Sequence, residues 1–237
     1  MNINTTQTPQ ASVSVIVPVY NGERYIIEAL DSISRQTHQP AEVIVVDDGS
    51  TDKTADLVES YGSNVTCLRQ ANSGAATARN AGIQASHSEY LAFLDHDDLW
   101  VANKLEMQLA AFARNPELDM VFGHATQFYC ASLDETERSK LRLPDKPMPA
   151  YIAGSRLVKR DSFLKAGLYD PSIRMGECLD WHARAIDAGL KMCMLTEVVY
   201  LRRIHATNMG RTAAENRSEY ARVMKRLLDR RRQQKRT

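Results

Sequence analysis

The stretch FLDHDD, residues 93–98, determines how the rest of the chain is interpreted. It completes an apolar run, 90–94, that predicts a short buried strand. Asp95, Asp97 and Asp98 follow at once, and acids this close repel one another unless a cation lies among them. Mg²⁺ and Mn²⁺ take oxygen ligands and often keep phosphate oxygens as well. The stretch therefore predicts a divalent metal site; the alternative is that the acids only cap the following helix.

Length and composition indicate one globular domain. The chain has 237 residues and a formal charge of +1, which gives no sign of nucleic-acid binding. Its four cysteines lack zinc-like spacing and indicate reduced thiols in a cytoplasmic protein. Residues 1–11 lack the order of a signal peptide and are expected to be disordered. No apolar run is long enough to predict a membrane helix.

The first half alternates strand patterns with amphipathic helix patterns. Strands are predicted near 12–19, 42–46, 65–69 and 90–94. Pro18 is expected to end the pairing of the first of them. This alternation is typical of βαβ units, so the expected class is α/β, a single Rossmann-like domain with a mostly parallel central sheet, flanking helices and a C-terminal helical tail.

Three strand ends should lie side by side at one edge of that sheet. They carry residues 18–21, 47–50 and 95–98, which together supply acids, a tyrosine and an asparagine. Right-handed crossovers bring such ends together, and ligands of open α/β sheets bind there. The chain lacks both G-x-G-x-x-G and the Walker lysine, so the common dinucleotide and ATP sites are not supported.

The side chains at these ends suit a nucleoside diphosphate. Asp47 or Asp48 can accept a hydrogen bond from a base or a ribose hydroxyl. Tyr20 can stack on a base. A metal on Asp97 would bridge the two phosphates.

Arg79 has two interpretations of equal weight. It lies in a helix predicted over 74–85 and can face a phosphate. It can also form a structural ion pair with Asp95 or Asp47. Both can hold at once.

Four segments resemble the signature blocks of the family 2 glycosyltransferases, which have the GT-A fold. They read PVYNGERY at 18–25, VVDDGSTD at 45–52, NSGAATARNAGI at 72–83 and FLDHDD at 93–98, in the family's order. The resemblance implies a single GT-A domain and a nucleotide-sugar donor, usually a UDP-sugar. It also implies a Mn²⁺ or Mg²⁺ ion and transfer with inversion at the anomeric carbon.

The resemblance implies roles for residues at matching positions. Residues implied to hold the uridine are Pro18, Tyr20, Glu23, Asp47 or Asp48, and Arg79. Asp95 and Asp97 would be the D-x-D pair, with Asp95 reaching the ribose or a metal-bound water and Asp97 ligating the metal. His96 and Arg203 are counted with the donor-binding residues. His205, in an R-x-H sequence, would complete the metal site or contact the diphosphate.

The catalytic base is expected in the second half of the chain. Transfer needs a carboxylate that takes the proton of the acceptor hydroxyl. The family's usual Glu-Asp pair is here Glu177 followed by Cys178, so the base is either Asp180 or Glu177. Asp180 is preferred because Trp181 beside it could stack on a sugar ring. The alternative is that Asp180 is only a helix charge and Trp181 part of the core.

The predicted domain, 12–210, divides into a nucleotide-binding half, 12–98, and an acceptor-binding half, 99–210. Polar and proline-rich residues 131–150 predict a flexible loop, either a border of the acceptor site or an insertion without function. Residues 211–237 predict a basic C-terminal helix. It would dock on the core, contact an anionic membrane surface on the cytoplasmic side, or mediate dimerisation.

The sequence thus predicts an inverting, metal-dependent glycosyltransferase that acts on a sugar, lipid-linked or peptide acceptor. Either Arg202 or Arg203 can face the phosphates, since strand neighbours alternate faces. One alternative is a nucleotide-binding protein without transferase activity, which the Glu177-Cys178 departure supports. Another is a sugar-phosphate nucleotidylyltransferase, but the segment 18–25 lacks the glycine-rich basic loop which that reaction needs.

Overall fold

The structure is a computed structural model that describes residues 11–141, 143–205, 208, 221, 223–227, 229 and 232. The strands are β1 (Val13–Val19), β2 (Glu42–Asp47), β3 (Val65–Arg69), β4 (Tyr90–Phe93), β5 (Leu99–Trp100), β6 (Met120–Tyr129), β7 (Met148–Ala150), β8 (Leu157–Lys159) and β9 (Met192–Ile204). The helices are α1 (Ile26–Ser34), α2 (Thr54–Tyr61), α3 (Ala75–Ala85), α4 (Lys104–Arg114), α5 (Glu135–Ser139), α6 (Arg160–Lys165) and α7 (Glu177–Asp187), with a 3₁₀ turn at Ala153–Ser155.

The strands form one sheet with the order β3-β2-β1-β4-β8-β6-β9-β5, and β7 pairs with β6. The first four strands in this order run parallel. β8 pairs antiparallel with both β4 and β6, which restores the direction, so β6 and the parallel β9 run the same way as β4. The α/β prediction is confirmed. The carboxyl end of β9 consequently lies at the same sheet edge as those of β1, β2 and β4.

Pro18 does not end the pairing of β1, contrary to the sequence expectation. It lies within the strand, opposite Val46 of β2. The register between β1 and β4 ends at Ile16 and Phe93. Beyond that point β4 no longer pairs with β1. The missing N–H of Pro18 faces this unpaired side, so it interrupts no hydrogen-bond ladder.

Both faces of β1 are buried, which explains its unbroken apolar sequence. Val15 and Val17 pack in the cluster that includes Leu30 of α1. Ile16 points to the opposite face and packs with Ile83 of α3. Helix α3 lies close to the sheet because Gly82 has no side chain: a Cβ there would lie 2.5 Å from Cγ2 of Ile16.

Two segments differ from, or extend beyond, the sequence prediction. The segment 131–150 contains α5, which starts at a capping box between Asp134 and Glu137, and β7, so it is not a plain loop. Its flexibility stays a prediction. In the tail, described residues within 221–232 are helical, and Val223 and Leu227 pack against Ile173 and Ala183. Residues 1–10 and most of 206–220 and 230–237 lie outside the described residues.

None of the helices within the described ranges has the length and apolar character needed to cross a bilayer.

Lys104, in the first turn of α4, is a fully buried amine. Its Nζ donates to Oε1 of Gln108 (2.7 Å) and lies 4.2 Å from the centroid of the Trp100 ring. Gln108 in turn donates to the carbonyl of Ser155 (2.7 Å). Burial lowers the pKa of Lys104 well below its ordinary value of 10.5, and the charge of Arg156 lowers it further. The network fixes α4 against the 3₁₀ turn.

We expect Lys104→Met to weaken the pH dependence of folding. Between neutral pH and 10.5 the unfolded chain binds a proton at Lys104 more readily than the folded chain, so this group makes the free energy of unfolding rise with pH. Removing it should lower that slope by at most about 1.4 kcal/mol per pH unit. Urea unfolding at several pH values from 7.5 to 10 measures the slope. Lys165→Met, at an exposed site, is the control, and equal slopes for Lys104→Met and the wild type would contradict the account.

Candidate active site

The loops that follow β1 and β2 are joined by hydrogen bonds. Asn21 has a left-handed backbone (φ 50°), and its N–H donates to Oγ of Ser50 (2.9 Å). Its Oδ1 accepts from the backbone N–H of Thr51 (2.8 Å). Tyr20, just before it, is 46% exposed. The two loops thus hold an accessible aromatic ring at the sheet edge.

Glu23 and Pro18, which the resemblance implies hold uridine, both have structural roles within the protein. Oε2 of Glu23 accepts from the backbone N–H of Lys53 (3.1 Å), and the backbone N–H of Glu23 donates to Asp52 (3.1 Å). Pro18 is buried within β1. A direct contact of either residue with a nucleotide stays a prediction.

The acids at the end of β2 differ in their surroundings. Asp48 accepts from Gln70 Nε2 (2.7 Å) and from the backbone N–H groups of Ser73 (2.9 Å) and Gly74 (2.8 Å). It therefore fixes the loop that leads into α3. Asp47 accepts from the backbone N–H three residues on (3.0 Å). Both are buried, and the choice between them as the uridine contact stays open.

Arg79 joins three elements of the site. Its Nη2 donates to Oδ1 of Asp95 and its Nη1 to Oε1 of Glu177, each at 2.6 Å. Arg79 is 5% exposed, so its side of both ion pairs is shielded from water. The ion pair with Asp95, one of the two alternatives for this residue, is present. Through its second ion pair, with Glu177, Arg79 also brings the start of α7 to the end of β4.

Asp97 meets His205, which follows β9. Its Oδ2 lies 3.0 Å from Nε2 of His205. Burial works to raise the pKa of Asp97, but the hydrogen bond from His205 and the charges of His96 and His205 outweigh it, so the pKa lies below its ordinary value. Residues 97 and 205, far apart in sequence, thus place a carboxylate oxygen and an imidazole nitrogen next to each other at the sheet edge.

The Asp97–His205 pair fits a Mn²⁺ or Mg²⁺ ion with few protein ligands. Two adjacent ligands of an octahedral ion, each about 2.1 Å away, are about 3.0 Å apart. The observed separation of Oδ2 and Nε2 is 3.0 Å. Within the described part of the chain, no group of three or more His, Cys, Asp or Glu residues could hold a metal. An ion here would take its other ligands from substrate and water, as Mg²⁺ often does beside phosphates.

Asp98, the third acid, ties its loop to β9. It accepts from the hydroxyl of Tyr200 and from the backbone N–H of Arg203 (2.6 Å). Burial raises the pKa of Asp98 well above its ordinary value, and the charges of Asp97 and Asp95 raise it further. This acid is a link within the protein.

His96 connects the acidic loop to the first loop. A Cβ added at Gly22 would lie 2.6 Å from Cδ2 of His96, so the imidazole packs directly on the glycine backbone. Such an approach is open only to glycine. Donor contact by His96 stays a prediction.

Arg203 is not placed as the phosphate ligand that the sequence suggested. Its Nε donates to the carbonyl of Asp97 (2.9 Å) and its Nη2 to Oε2 of Glu28 on α1 (2.7 Å). The residue is 5% exposed, whereas Arg202, on the opposite face of the strand, is exposed. Because it is paired and buried, the guanidinium of Arg203 makes its contacts within the protein.

Asp180 does not have the position expected of a base. It is 3% exposed, and its Oδ2 accepts from Nε of Arg184 (2.9 Å). Arg184 also donates to the carbonyl of Leu168 (2.8 Å). This arrangement holds α7 against the preceding segment and leaves little access for an acceptor. Glu177, the other candidate, shares Arg79 with Asp95.

The expectation that Trp181 stacks on a sugar is wrong. The side chain is fully buried, and its ring stacks on Phe163 at 4.4 Å. Its Nε1 donates to the carbonyl of Gly167 (2.8 Å). Trp181 and Ala185 lie on the face of α7 that packs on the sheet, so the helical spacing was interpreted correctly but the tryptophan belongs to the core.

Sequence reasoning missed Glu28 and Tyr200, which hold Arg203 and Asp98. No motif marks either residue. Their roles follow from the course of β9, which pairs with β5 and so passes beside the acidic loop. The sequence of β9, MCMLTEVVYLRRI, has no regular alternation of polar and apolar residues that could have identified these contacts.

Residues 14–167 match the family described as Glycosyl transferase family 2. An uncharacterised glycosyltransferase of Rickettsia prowazekii is 32% identical over 88% of this chain and 69% of its own length. TuaG of Bacillus subtilis, provisionally assigned to teichuronic acid biosynthesis, is 45% identical over 41% of this chain and 40% of its own. The crystal structure of Staphylococcus aureus TarS 1–349 with UDP-GlcNAc shares the fold, with a TM-score of 0.71 and 22% identity over 91% of this chain and 65% of that one. The chain therefore belongs to glycosyltransferase family 2, a family of transferase enzymes.

Proposed function

We propose that this protein is an inverting glycosyltransferase that moves a sugar from a UDP-sugar to an acceptor hydroxyl. The observation that carries the proposal is the double ion pair of Arg79. One guanidinium joins Asp95, at the donor edge of the sheet, to Glu177, a candidate base, at 2.6 Å each. Asp95, which would serve the donor, and Glu177, the candidate base, therefore lie on either side of Arg79. Direct transfer between two substrates requires that the groups serving each substrate lie close together.

The donor is assigned from the strand ends and from the fold. Tyr20 offers an exposed ring to the uracil, and Asp47 or Asp48 accepts from the base or the ribose. Asp95 keeps an accessible carboxylate beside them, with 39% of its side chain exposed. TarS, which shares the fold, has been solved with UDP and with UDP-GlcNAc, which supports a UDP-sugar here.

Asp97 and His205 are the residues that would hold Mn²⁺ or Mg²⁺. When bound, the metal supplies positive charge that offsets the charge developing on the departing diphosphate. Asp97 would contribute a carboxylate oxygen, which suits Mn²⁺ and Mg²⁺, and His205 would contribute a ring nitrogen. His96 packs on Gly22 and so joins the acidic loop to the loop that follows β1.

Glu177 is the base in this proposal, in place of Asp180. Its Oε1 accepts from Nη1 of Arg79 (2.6 Å), and its carboxylate is the group that would take the proton of the acceptor hydroxyl. Asp180 pairs with Arg184 in the contact that holds α7 against the preceding segment, whereas Glu177 lies next to Asp95 through Arg79. The acceptor is a saccharide, free or lipid-linked, and the provisional assignment of TuaG to teichuronic acid biosynthesis supports that class. A peptide acceptor is the alternative.

We expect Asp97→Asn to abolish metal-dependent use of the donor. Losing one charge-stabilising ligand should lower UDP release by about two orders of magnitude. The measurement is UDP or GDP release from a panel of nucleotide sugars with Mn²⁺, Mg²⁺ or EDTA. Asp161→Asn, at an exposed position on α6, is the matched control. Release that persists in EDTA, or in Asp97→Asn, would refute the metal assignment.

We expect Glu177→Gln and Asp180→Asn to fail in different ways. Loss of the base should reduce transfer by about 10²–10⁴-fold while nucleotide binding by Glu177→Gln persists. Asp180→Asn should lower the free energy of unfolding by about 1–3 kcal/mol, because a buried hydrogen-bonded charge is lost, yet keep most activity per folded molecule. Transfer rates and urea unfolding, measured on both variants, decide the matter. The reverse pattern would return the role to Asp180, and nucleotide binding without turnover by the wild type would favour the non-catalytic alternative.

A further inference from the structure

Arg203 is enclosed by a set of contacts that reach two parts of the site at once. Its backbone N–H donates to Asp98 (2.6 Å), and its Nε donates to the carbonyl of Asp97 (2.9 Å). Its Nη2 donates to Glu28 (2.7 Å). One residue of β9 therefore holds two consecutive residues of the acidic loop and one residue of α1.

Two aromatic rings fix the plane of this guanidinium. It lies 4.8 Å from the centroid of Tyr25 and 4.9 Å from that of Phe128. The Tyr25 ring also contacts the ring of His205, with centroids 5.0 Å apart. A guanidinium placed against rings and held by hydrogen bonds has a restricted orientation. Tyr25 thus contacts both Arg203 and His205.

We propose that Arg203 is a positioning residue for the Asp97–His205 pair, that Glu28 is its anchoring partner, and that Arg203 does not bind the diphosphate. The inference rests on the proposed metal function of that pair. Groups that fix the ligands of a metal typically change its affinity by about 10–100-fold when they are altered. Here the main chain at Asp97 is held by Nε, and the ring of His205 by Tyr25.

Glu28 makes the inference testable without disturbing the core. Its side chain is 57% exposed, so Glu28→Gln should fold even if a change at Arg203 does not. Glu28 lies on α1 and contacts Nη2 of Arg203, so its loss should alter Mn²⁺ affinity through that guanidinium, whereas UDP affinity in EDTA reports separately on a diphosphate contact. Arg203→Lys keeps the charge but replaces a planar fork, whose Nε and Nη2 serve Asp97 and Glu28 from fixed positions, with a single ammonium group on a flexible stem.

The experiment measures Mn²⁺ affinity of UDP-saturated protein from the electron paramagnetic resonance signal of free Mn²⁺, with a protein-free UDP blank. Variants are Arg203→Lys and Glu28→Gln, and Glu117→Gln, which breaks the exposed ion pair with Lys191 (2.9 Å), is the control. We expect the dissociation constant to rise about tenfold or more for Arg203→Lys. It should rise about twofold to fivefold for Glu28→Gln and stay unchanged for Glu117→Gln. UDP affinity in EDTA should not change.

Two outcomes separate the inference from the function on which it rests. If the wild type binds Mn²⁺ and Glu28→Gln binds it equally well, or if Arg203→Lys weakens UDP binding in EDTA, Arg203 is not a positioning residue. If the wild type binds no Mn²⁺ in the presence of UDP, the metal function fails and this inference fails with it. Thermal unfolding of each variant confirms that affinity is measured on folded protein.

Discussion

Repulsion among the carboxylates that follow β4 is the constraint on which the rest of the site depends. Each of the three acids is balanced in a different way. Asp95 pairs with Arg79, Asp97 meets His205, and Asp98 is buried and accepts from two donors of β9. Asp98 is the buried member of the three, and losing the two donors of β9 would leave it without hydrogen bonds, which is costly for a buried polar group. The three solutions fix how α3, α7 and β9 approach the sheet edge.

The sheet topology brings the partners of the three acids together at one edge of the sheet. Two antiparallel pairings through β8 turn the second half of the chain so that β9 runs in the direction of β4. Its carboxyl end then delivers His205 and Arg203 beside the acidic loop. Helix α7 starts on the same side, where Glu177 reaches Arg79. The half that contains residues 12–98 supplies the acids and Arg79, and the second half supplies His205, Arg203 and Glu177.

Local pattern predicted the α/β class and the strand ends that meet, because these depend on periodicity and on crossover geometry. It also gave an ion pair of Arg79 with Asp95 or Asp47 as one of two alternatives for that residue. The stacking role of Trp181 was wrong, whereas Asp180 as base and Arg203 as phosphate ligand stay predictions that their buried ion pairs do not favour. A helical stripe shows which residues share a face, but it does not tell whether that face meets the core or the cleft. Arg203 was uncertain for a further reason: its partner Glu28 lies 175 positions away, and only the completed sheet brings the two together.

Anomalous diffraction from a crystal grown with Mn²⁺ and UDP tests the central claim most directly. The account predicts one strong manganese peak within about 2.2 Å of both Oδ2 of Asp97 and Nε2 of His205, with diphosphate oxygens completing the shell and Arg203 still on Glu28. UDP at the strand ends with no manganese peak, or a peak ligated by residues other than Asp97 and His205, would contradict it.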